Sequence, residues 1–307
     1  MRIRLNGFFL ALITAVLWGV LPVFLQICLQ ALDSMTITWI RFLFAGLVVF
    51  VFLLSTNALP SIWKQVPRAQ FILIVAALAL VVNYVSNVKS LDYVNPETVQ
   101  VVMQIAPILL MLGGIVFFKE RLNRLEITGA IILFLGLGLF FSPKLDLLFS
   151  SINSYNSGIM LVVLAAVTWV AYALMQKVLL RSFTAKQLTL LIYLIGILAL
   201  TPFIHLSAIT DLNQLQYYAL LFCCLNTVIA YGCFTEALNI WSAAKVSAVI
   251  ATGPLFTFLS VVIAQQLLPE QFSLIELDSY VIFGAICVVC GSMTTALAKR
   301  KVVKPVV

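Results

Sequence analysis

Residues 81–107 read VVNYVSNVKSLDYVNPETVQVVMQIAP, and residues 228–254 read VIAYGCFTEALNIWSAAKVSAVIATGP. Laid over one another at an offset of 147 positions, they align Val81 with Val228, Tyr84 with Tyr231 and Leu91 with Leu238. Val99, Val102 and Pro107 fall on Val246, Val249 and Pro254 at the same offset. A second match follows at an offset of 155, where Ile127, Gly129, Ala130, Ile131 and Gly136 fall on Ile282, Gly284, Ala285, Ile286 and Gly291. The change of offset places a longer connection before the last apolar run of the second half. Apolar sequences often coincide, but glycine and proline pairs in one order do not. An internal repeat in so apolar a chain points to two related helical bundles.

The surrounding composition sets the solvent. The chain is 63% hydrophobic and 9% charged, with a mean hydropathy of +1.14. Globular domains carry about 25% charged residues. Ten apolar runs are present, near 8–29, 35–54, 70–89, 97–118, 125–142, 157–177, 187–206, 215–237, 243–268 and 279–298. Each has about the length that crosses a hydrocarbon core of about 30 Å as a helix. In lipid every backbone polar group must be paired internally, so the runs are expected to be helices. Asp33-Ser34, Asn57 to Pro67, Asn95-Pro96, Asn123, Ser142-Pro143, Asp211 to Asn213 and Ser273 punctuate them. The expected organisation is a first five-helix repeat over 1–142, a linker over 143–156, and a second repeat with a short basic tail over 157–307.

Orientation follows from the basic residues. With a cytoplasmic N-terminus, the inner segments hold 15 of the 18 lysines and arginines. Lys89 and Lys144 lie on the outer side, and Arg41 lies within a helix. The positive-inside rule selects this orientation, with both termini cytoplasmic. The net charge of +7 is then a topology signal and not a nucleic-acid footprint. Five helices per half, an odd number, make the two repeats inverted about an axis in the membrane plane. The expected fold class is an all-α integral membrane protein of ten helices around a central cavity.

The first run follows Arg2 and Arg4 but is too long for a signal peptide, lacks a small-residue cleavage site, and belongs to the repeat. Cys28, Cys223, Cys224, Cys233, Cys287 and Cys290 sit in or near helices. Cys287 and Cys290 have C-x-x-C spacing without His or acid partners, so packing is the expected role, and no metal or cofactor is expected.

Several loose motifs stand in a specific order. They are Ala15-Val-Leu-Trp18-Gly19, Ile40-Arg41-Phe42, Pro107, Phe118-Lys119-Glu120-Arg121-Leu122 and Gly129-Ala130. In the second half come Val167-Thr-Trp169, Ser247-Ala248, Pro254, Pro269-Glu270 and Gly284-Ala285. In this order and spacing the chain resembles, over nearly its whole length, the drug/metabolite transporter superfamily, in particular the bacterial EamA-type permeases. The resemblance implies ten helices, a central cavity and alternating access. It also implies export of amino acids or other small metabolites from the bacterial cytoplasm across the inner membrane, without fixing the substrate.

Polar side chains in a bilayer point at protein or a water-filled cavity. Thr14, Trp18, Pro22 and Gln26 recur every four residues on one helical face. Asn83, Asn87 and Ser90 form a second stripe, joined by Tyr84, and Gln100, Gln104 and Pro107 a third. In the second half, Trp169, Tyr172 and Gln176 make one group, Asn226, Thr227 and Tyr231 another, and Ser247, Thr252 and Pro254 a third. From these, Trp18, Asn83, Tyr84, Asn87, Gln100, Gln104, Trp169, Tyr172, Asn226 and Tyr231 are the candidate substrate-binding residues. The same residue types also make interhelical hydrogen bonds, of about 0.6 kcal/mol each. Pro107 and Pro254 are the candidate shared hinge, since an interior proline removes a backbone hydrogen bond; a fixed kink needed for packing is the alternative.

Charges mark the cavity ends. Lys89 falls on Glu236 at the 147 offset, Glu97 begins the fourth run, and Lys245 begins the ninth. Lys89 with Glu97 or Asp92, and Glu236 with Lys245, are candidate gating or coupling pairs. The alternative is interfacial charge solvated by headgroups. Arg41 lies about one turn into the second run, either snorkelling to the headgroups or meeting an anionic substrate group.

The expected function is a secondary transporter of a small neutral, zwitterionic or amphipathic metabolite, with a proton or an exchanged solute as candidate coupling partner. Clustered lysines or arginines for a phosphorylated substrate are missing at depth. An enzyme is not expected, because no Ser/His/Asp set, H-E-x-x-H helix or phosphate loop is present. A non-transporting membrane receptor or assembly factor is the alternative, and the sequence leaves the oligomeric state open. The partners expected are the lipid bilayer and the small solute, with no nucleic acid.

Overall fold

The computed structural model describes residues 2–62, 66–119, 123–142, 154–272 and 279–297. The basic tail and all but the end of the expected linker lie outside them; Ser154 already opens a helix. Twelve α-helices occur among the described residues. The first half comprises α1 (Arg2–Leu29), α2 (Ser34–Ser55), α3 (Pro67–Ser90), α4 (Pro96–Val102), α5 (Ile105–Phe118) and α6 (Arg124–Phe141). The second comprises α7 (Ser154–Leu179), α8 (Ala185–Leu200), α9 (Gln214–Ile240), α10 (Ala243–Ile250), α11 (Gly253–Leu267) and α12 (Ser279–Leu297).

Helix starts use local chemistry. The Asp33 carboxylate accepts from the Met35 and Thr36 amides at the head of α2. Asn123 with Glu126, Thr184 with Gln187, and Asn213 with Gln216 form reciprocal capping boxes. Pro67 and Pro96 begin their helices, where a missing N–H costs nothing. Lys119 closes α5 in the left-handed conformation, at φ 52°.

Helices occupy all ten apolar runs among the described residues, and two runs differ from the sequence expectation. The fourth and ninth are not continuous kinked helices; each is split in two, at Met103-Gln104 and at Ala251-Thr252. Proline is the reason. Pro107 and Pro254 each stand in the first turn of the later half-helix and have no N–H to offer the carbonyl four residues back. The Met103 carbonyl instead accepts from Ala106 at 2.9 Å, and Leu255 donates to Thr252 at 3.1 Å, so the chain tightens by a residue at both breaks. Pro202 also lies outside an α-helix, in the 3-10 turn Thr201–Phe203 after α8.

The helix pairings exchange when the halves are exchanged. α1 packs on α9, and α3 packs on α7. α1 meets α11, and α5 meets α7. α2 pairs with α8, and α6 with α12, each with its own equivalent. Gly136 and Gly291, matched in the sequence repeat, set the last contact: a Cβ on Gly291 would stand 2.5 Å from the Leu133 amide nitrogen and 2.6 Å from the Gly129 carbonyl oxygen. Glycine lets these backbones touch, a common device where no hydrophobic effect drives helices together.

Large apolar side chains such as Met160, Leu198 and Phe117 point outward. Seven helical segments among the described residues, with α10 and α11 counted as one, are long and apolar enough to cross a membrane. The protein is therefore a multi-pass membrane protein built of helices.

Candidate functional site

The two helix breaks, α1, α2, α3, α7 and α9 converge on a cavity of about 80 Å³ at the centre of the molecule. That volume holds a few water-sized groups. It is small beside the roughly 300–1,000 Å³ of drug-sized sites, so it has room for little more than a small solute.

Aromatic rings form one wall. Trp18 lies 5.6 Å from Trp169 and 4.9 Å from Tyr231, centroid to centroid. Tyr84 lies 5.3 Å from Tyr231. Tyr84 and Tyr231 are repeat equivalents, and Trp18 and Trp169 stand at corresponding places in the first helix of each half. Residues that correspond in the sequence repeat thus meet in this wall. Such ring pairs contribute about 0.5–1.5 kcal/mol beyond their buried area.

Amides form the other side. Gln104 sits in the break itself, 3% exposed, its Nε2 donating to the Gln100 carbonyl at 3.2 Å. Its Oε1 is buried without a partner, as is the Trp18 Nε1, whereas the Tyr84 hydroxyl meets those of Tyr231 and Thr227. Buried polar atoms are normally satisfied, so the first two present hydrogen-bonding capacity to whatever occupies the cavity. Asn87 and Gln100 are half-buried in the same lining. The Asn83 amide also lines the cavity but is committed to the Ala165 carbonyl of α7, at 2.9 Å.

Of the ten residues expected to bind substrate, eight line this cavity: Trp18, Asn83, Tyr84, Asn87, Gln100, Gln104, Trp169 and Tyr231. Two do not. Asn226 turns to α1 and donates to the Leu17 carbonyl at 2.6 Å. Tyr172 packs behind Tyr231, with ring centroids 6.4 Å apart. Both share a helix with a lining residue: Asn226 lies five positions before Tyr231 and faces α1, and Tyr172, one turn beyond Trp169, has the Tyr231 ring beside it. The lining also holds Leu21, Val88, Met103, Ala106 and Ile250, apolar residues that no polar pattern could single out.

Arg41 is the residue whose two readings the structure separates. It is 2% exposed and lines the cavity, so it does not reach the headgroups. Its Nε donates to the Thr227 hydroxyl at 2.9 Å, and its guanidinium carbon stands 4.4 Å from the centre of the Tyr84 ring. Thr227 is held in turn, donating to the Cys223 carbonyl at 2.8 Å and accepting the Tyr193 hydroxyl at its own carbonyl at 3.1 Å. No carboxylate forms a salt bridge with Arg41 among the described residues. An arginine at mid-helix costs roughly 2.5–3.5 kcal/mol on insertion scales, which the aromatic face and one hydroxyl offset in part.

Of the candidate gating pairs at the two ends, the structure places one, Lys89 with Asp92, in contact. Lys89 pairs with Asp92 at 2.8 Å, three residues on, and the pair is exposed. Such surface pairs contribute about 0–1 kcal/mol. Glu97 lines a separate polar pocket with Gln26, Asn95 and Glu270. Glu236 is half-buried on α9, and the Lys245 Nζ lies 5.9 Å from the centre of the Trp241 ring. Pro107 and Pro254, the expected hinge, stand in the first turn of the helices that follow the two breaks.

Outside the membrane-spanning helices, Asp33 accepts from the Thr36 hydroxyl at 2.6 Å and lies 3.3 Å from His205 Nδ1. Partial burial alone would raise its carboxyl. The bonds from the Thr36 hydroxyl and amide, His205 and the Met35 amide outweigh that and hold it below the ordinary value.

With this geometry in view, the relatives of the chain are informative. The description of the EamA-like transporter family matches residues 5–142 and again residues 156–297. A transporter of Haemophilus influenzae with no characterised substrate is 36% identical over 296 residues, covering 96% of each chain. The inner membrane transporter YhbE of Escherichia coli K12, likewise uncharacterised, is 35% identical over 295 residues, covering 96% of this chain and 92% of its own. A solved crystal structure shares the fold with a TM-score of 0.71 at 16% identity, covering 97% of this chain and 98% of that one. The chain belongs to the EamA-like transporter family.

Proposed function

We propose that this EamA-like protein is a secondary transporter that moves a small neutral, zwitterionic or amphipathic metabolite across the bacterial inner membrane by alternating access, in the direction of export. The observation that carries the reading is the cavity where the two halves meet, walled by corresponding aromatic residues and left with unpartnered polar atoms. The reading includes ten spans in two inverted five-helix repeats, with both termini cytoplasmic. The exchange of helix pairings between halves supports the repeats, as does a family description that matches once in each half. The distribution of basic residues supports the orientation, and the name of the Escherichia coli relative supports the compartment.

In this mechanism the solute enters from one side while the other is closed by packed helices. The rings of Trp18, Trp169 and Tyr231 take its apolar part, and Gln104, Gln100 and Asn87 take its polar groups. The halves then rock about the axis between them. The breaks ahead of Pro107 and Pro254 are where α4 and α10 turn against α5 and α11, because the proline removes a hydrogen bond that would resist bending. The described state, with about 80 Å³ free in the cavity, is one stage of that cycle.

The test is export measured by growth. The chain is overexpressed in a bacterial host challenged with amino acids, their toxic analogues and aromatic metabolites. A Gln104→Ala, Asn87→Ala variant is run beside it at matched membrane level. Resistance to one compound class that the variant loses is the expected result. A variant as protective as the parent refutes the cavity, and binding of a solute without its translocation makes the protein a receptor.

A further inference from the structure

Arg41 is a permanent cation, buried in the lining of the cavity, that no carboxylate pairs with among the described residues. The chain's acidic residues that the structure describes stand at Asp33, Asp92, Glu97, Glu126, Asp211, Glu236 and Glu270, and none of them lines the central cavity. One of the five guanidinium N–H donors is used, by Thr227. The charge is not left over from packing. Thr227 is anchored to its own helix and braced by Tyr193, and the guanidinium also lies over the Tyr84 ring. A cation held by a hydroxyl and a ring, neither of which carries negative charge, is prepared for an anion that arrives from outside.

We infer that Arg41 is the carboxylate-binding residue of the cavity, and that the transported solute is a monocarboxylate. A carboxylate matches the planar fork of a guanidinium and takes two parallel hydrogen bonds from it. One arginine neutralises one negative charge, which favours a monocarboxylate over a dicarboxylate or a phosphate ester. The other lining groups describe the rest of the molecule. The unpartnered Gln104 Oε1 accepts a donor near the carboxylate, an ammonium or a hydroxyl, and Trp18 Nε1 offers a donor. Trp18, Trp169 and Tyr231 face an apolar body. The cavity has no acidic side chain for a lone cation, so an amine without a carboxylate would meet Arg41 as a like charge.

This assignment rests on the transporter reading for the identity of the cavity, and its test is a binding measurement separate from export. Full-length protein, purified in detergent, is titrated with matched acid and amide probes: phenylacetate against phenylacetamide, L-phenylalanine against L-phenylalaninamide, and L-leucine against L-leucinamide. Quenching of tryptophan fluorescence reports occupancy, because Trp18 and Trp169 both line the cavity, and a rise in melting temperature confirms it. The acids are expected to bind and the amides to bind about thirtyfold more weakly or not at all. Arg41→Gln should remove the preference. Arg41→Lys keeps the charge without the fork and should retain acid preference at lower affinity, which keeps the test open if Arg41→Gln fails to fold. Thr227→Val, which frees the guanidinium without removing it, should weaken acids and leave amides unchanged. Equal binding of acid and amide, or no response to any acid, overturns the assignment while the export screen still decides the transporter reading. An acid preference that survives in a folded Arg41→Gln overturns it as well.

Discussion

A methyl group at position 291 tests how closely the two halves touch. A Cβ there would lie 2.5 Å from the Leu133 nitrogen, 2.6 Å from the Gly129 oxygen and 2.9 Å from the Leu133 Cα. Ordinary contact for such an atom begins near 3.4 Å, so α6 and α12 must part by close to 0.9 Å. All three obstructing atoms are backbone, and no rotamer change relieves them. Overpacking of this kind costs about 1–3 kcal/mol. At roughly 2–4 °C per kcal/mol for a chain of this size, Gly291→Ala should melt about 4–8 °C below the parent for a 2 kcal/mol cost. Gly138 on the same α6 supplies the control, since a Cβ there meets nothing within 4 Å. Gly138→Ala should be neutral or raise stability by a fraction of a kcal/mol through backbone entropy. Gly136→Ala meets the Val288 nitrogen at 2.7 Å and the Gly284 oxygen at 2.8 Å, so it should behave like Gly291→Ala. The double variant should cost less than the sum, because one separation of the helices relieves both. The assay is fluorescence-detected size exclusion of heated, detergent-solubilised protein. Equal melting of Gly291→Ala and Gly138→Ala would refute the close approach.

Two further perturbations probe the hinge and the ends. Pro254→Ala restores an N–H opposite the Ile250 carbonyl and should join α10 and α11 into one helix, holding stability level while slowing transport about fivefold, the factor for about 1 kcal/mol of extra bond to break in each cycle; transport at the parental rate removes the hinge from the mechanism. Asp33→Ala removes the N-cap of α2 and should cost about 1 kcal/mol in thermal stability at neutral pH. Because the folded carboxyl titrates below its ordinary value, its contribution is complete above about pH 4 and fades as the pH falls further, so the gap between the two proteins should narrow in acid. A gap independent of pH assigns the effect to packing instead of the carboxylate.

The sequence alone was enough for the positions of the helices, their approximate ends and the repeat, because a bilayer imposes length, composition and internal hydrogen bonding on every segment that crosses it. It was enough too for most of the cavity wall, since Asn87, Gln104 and Trp18 lie on runs where a polar or amphipathic group at depth needs a reason. Helical phase between elements was not legible. Asn226 and Tyr172 have the same chemistry as their neighbours, yet one bonds to α1 and the other packs behind Tyr231, and only the docking of α9 and α7 decides that. The breaks at Met103-Gln104 and Ala251-Thr252 were half legible: the prolines announce a lost hydrogen bond, but whether a helix bends or separates depends on what its ends pack against. Arg41 shows the division most clearly. An arginine in an apolar run reads first as a snorkelling anchor and only second as a binding group. Thr227 and Tyr84, 186 and 43 positions away in the chain, close around it and decide for the interior.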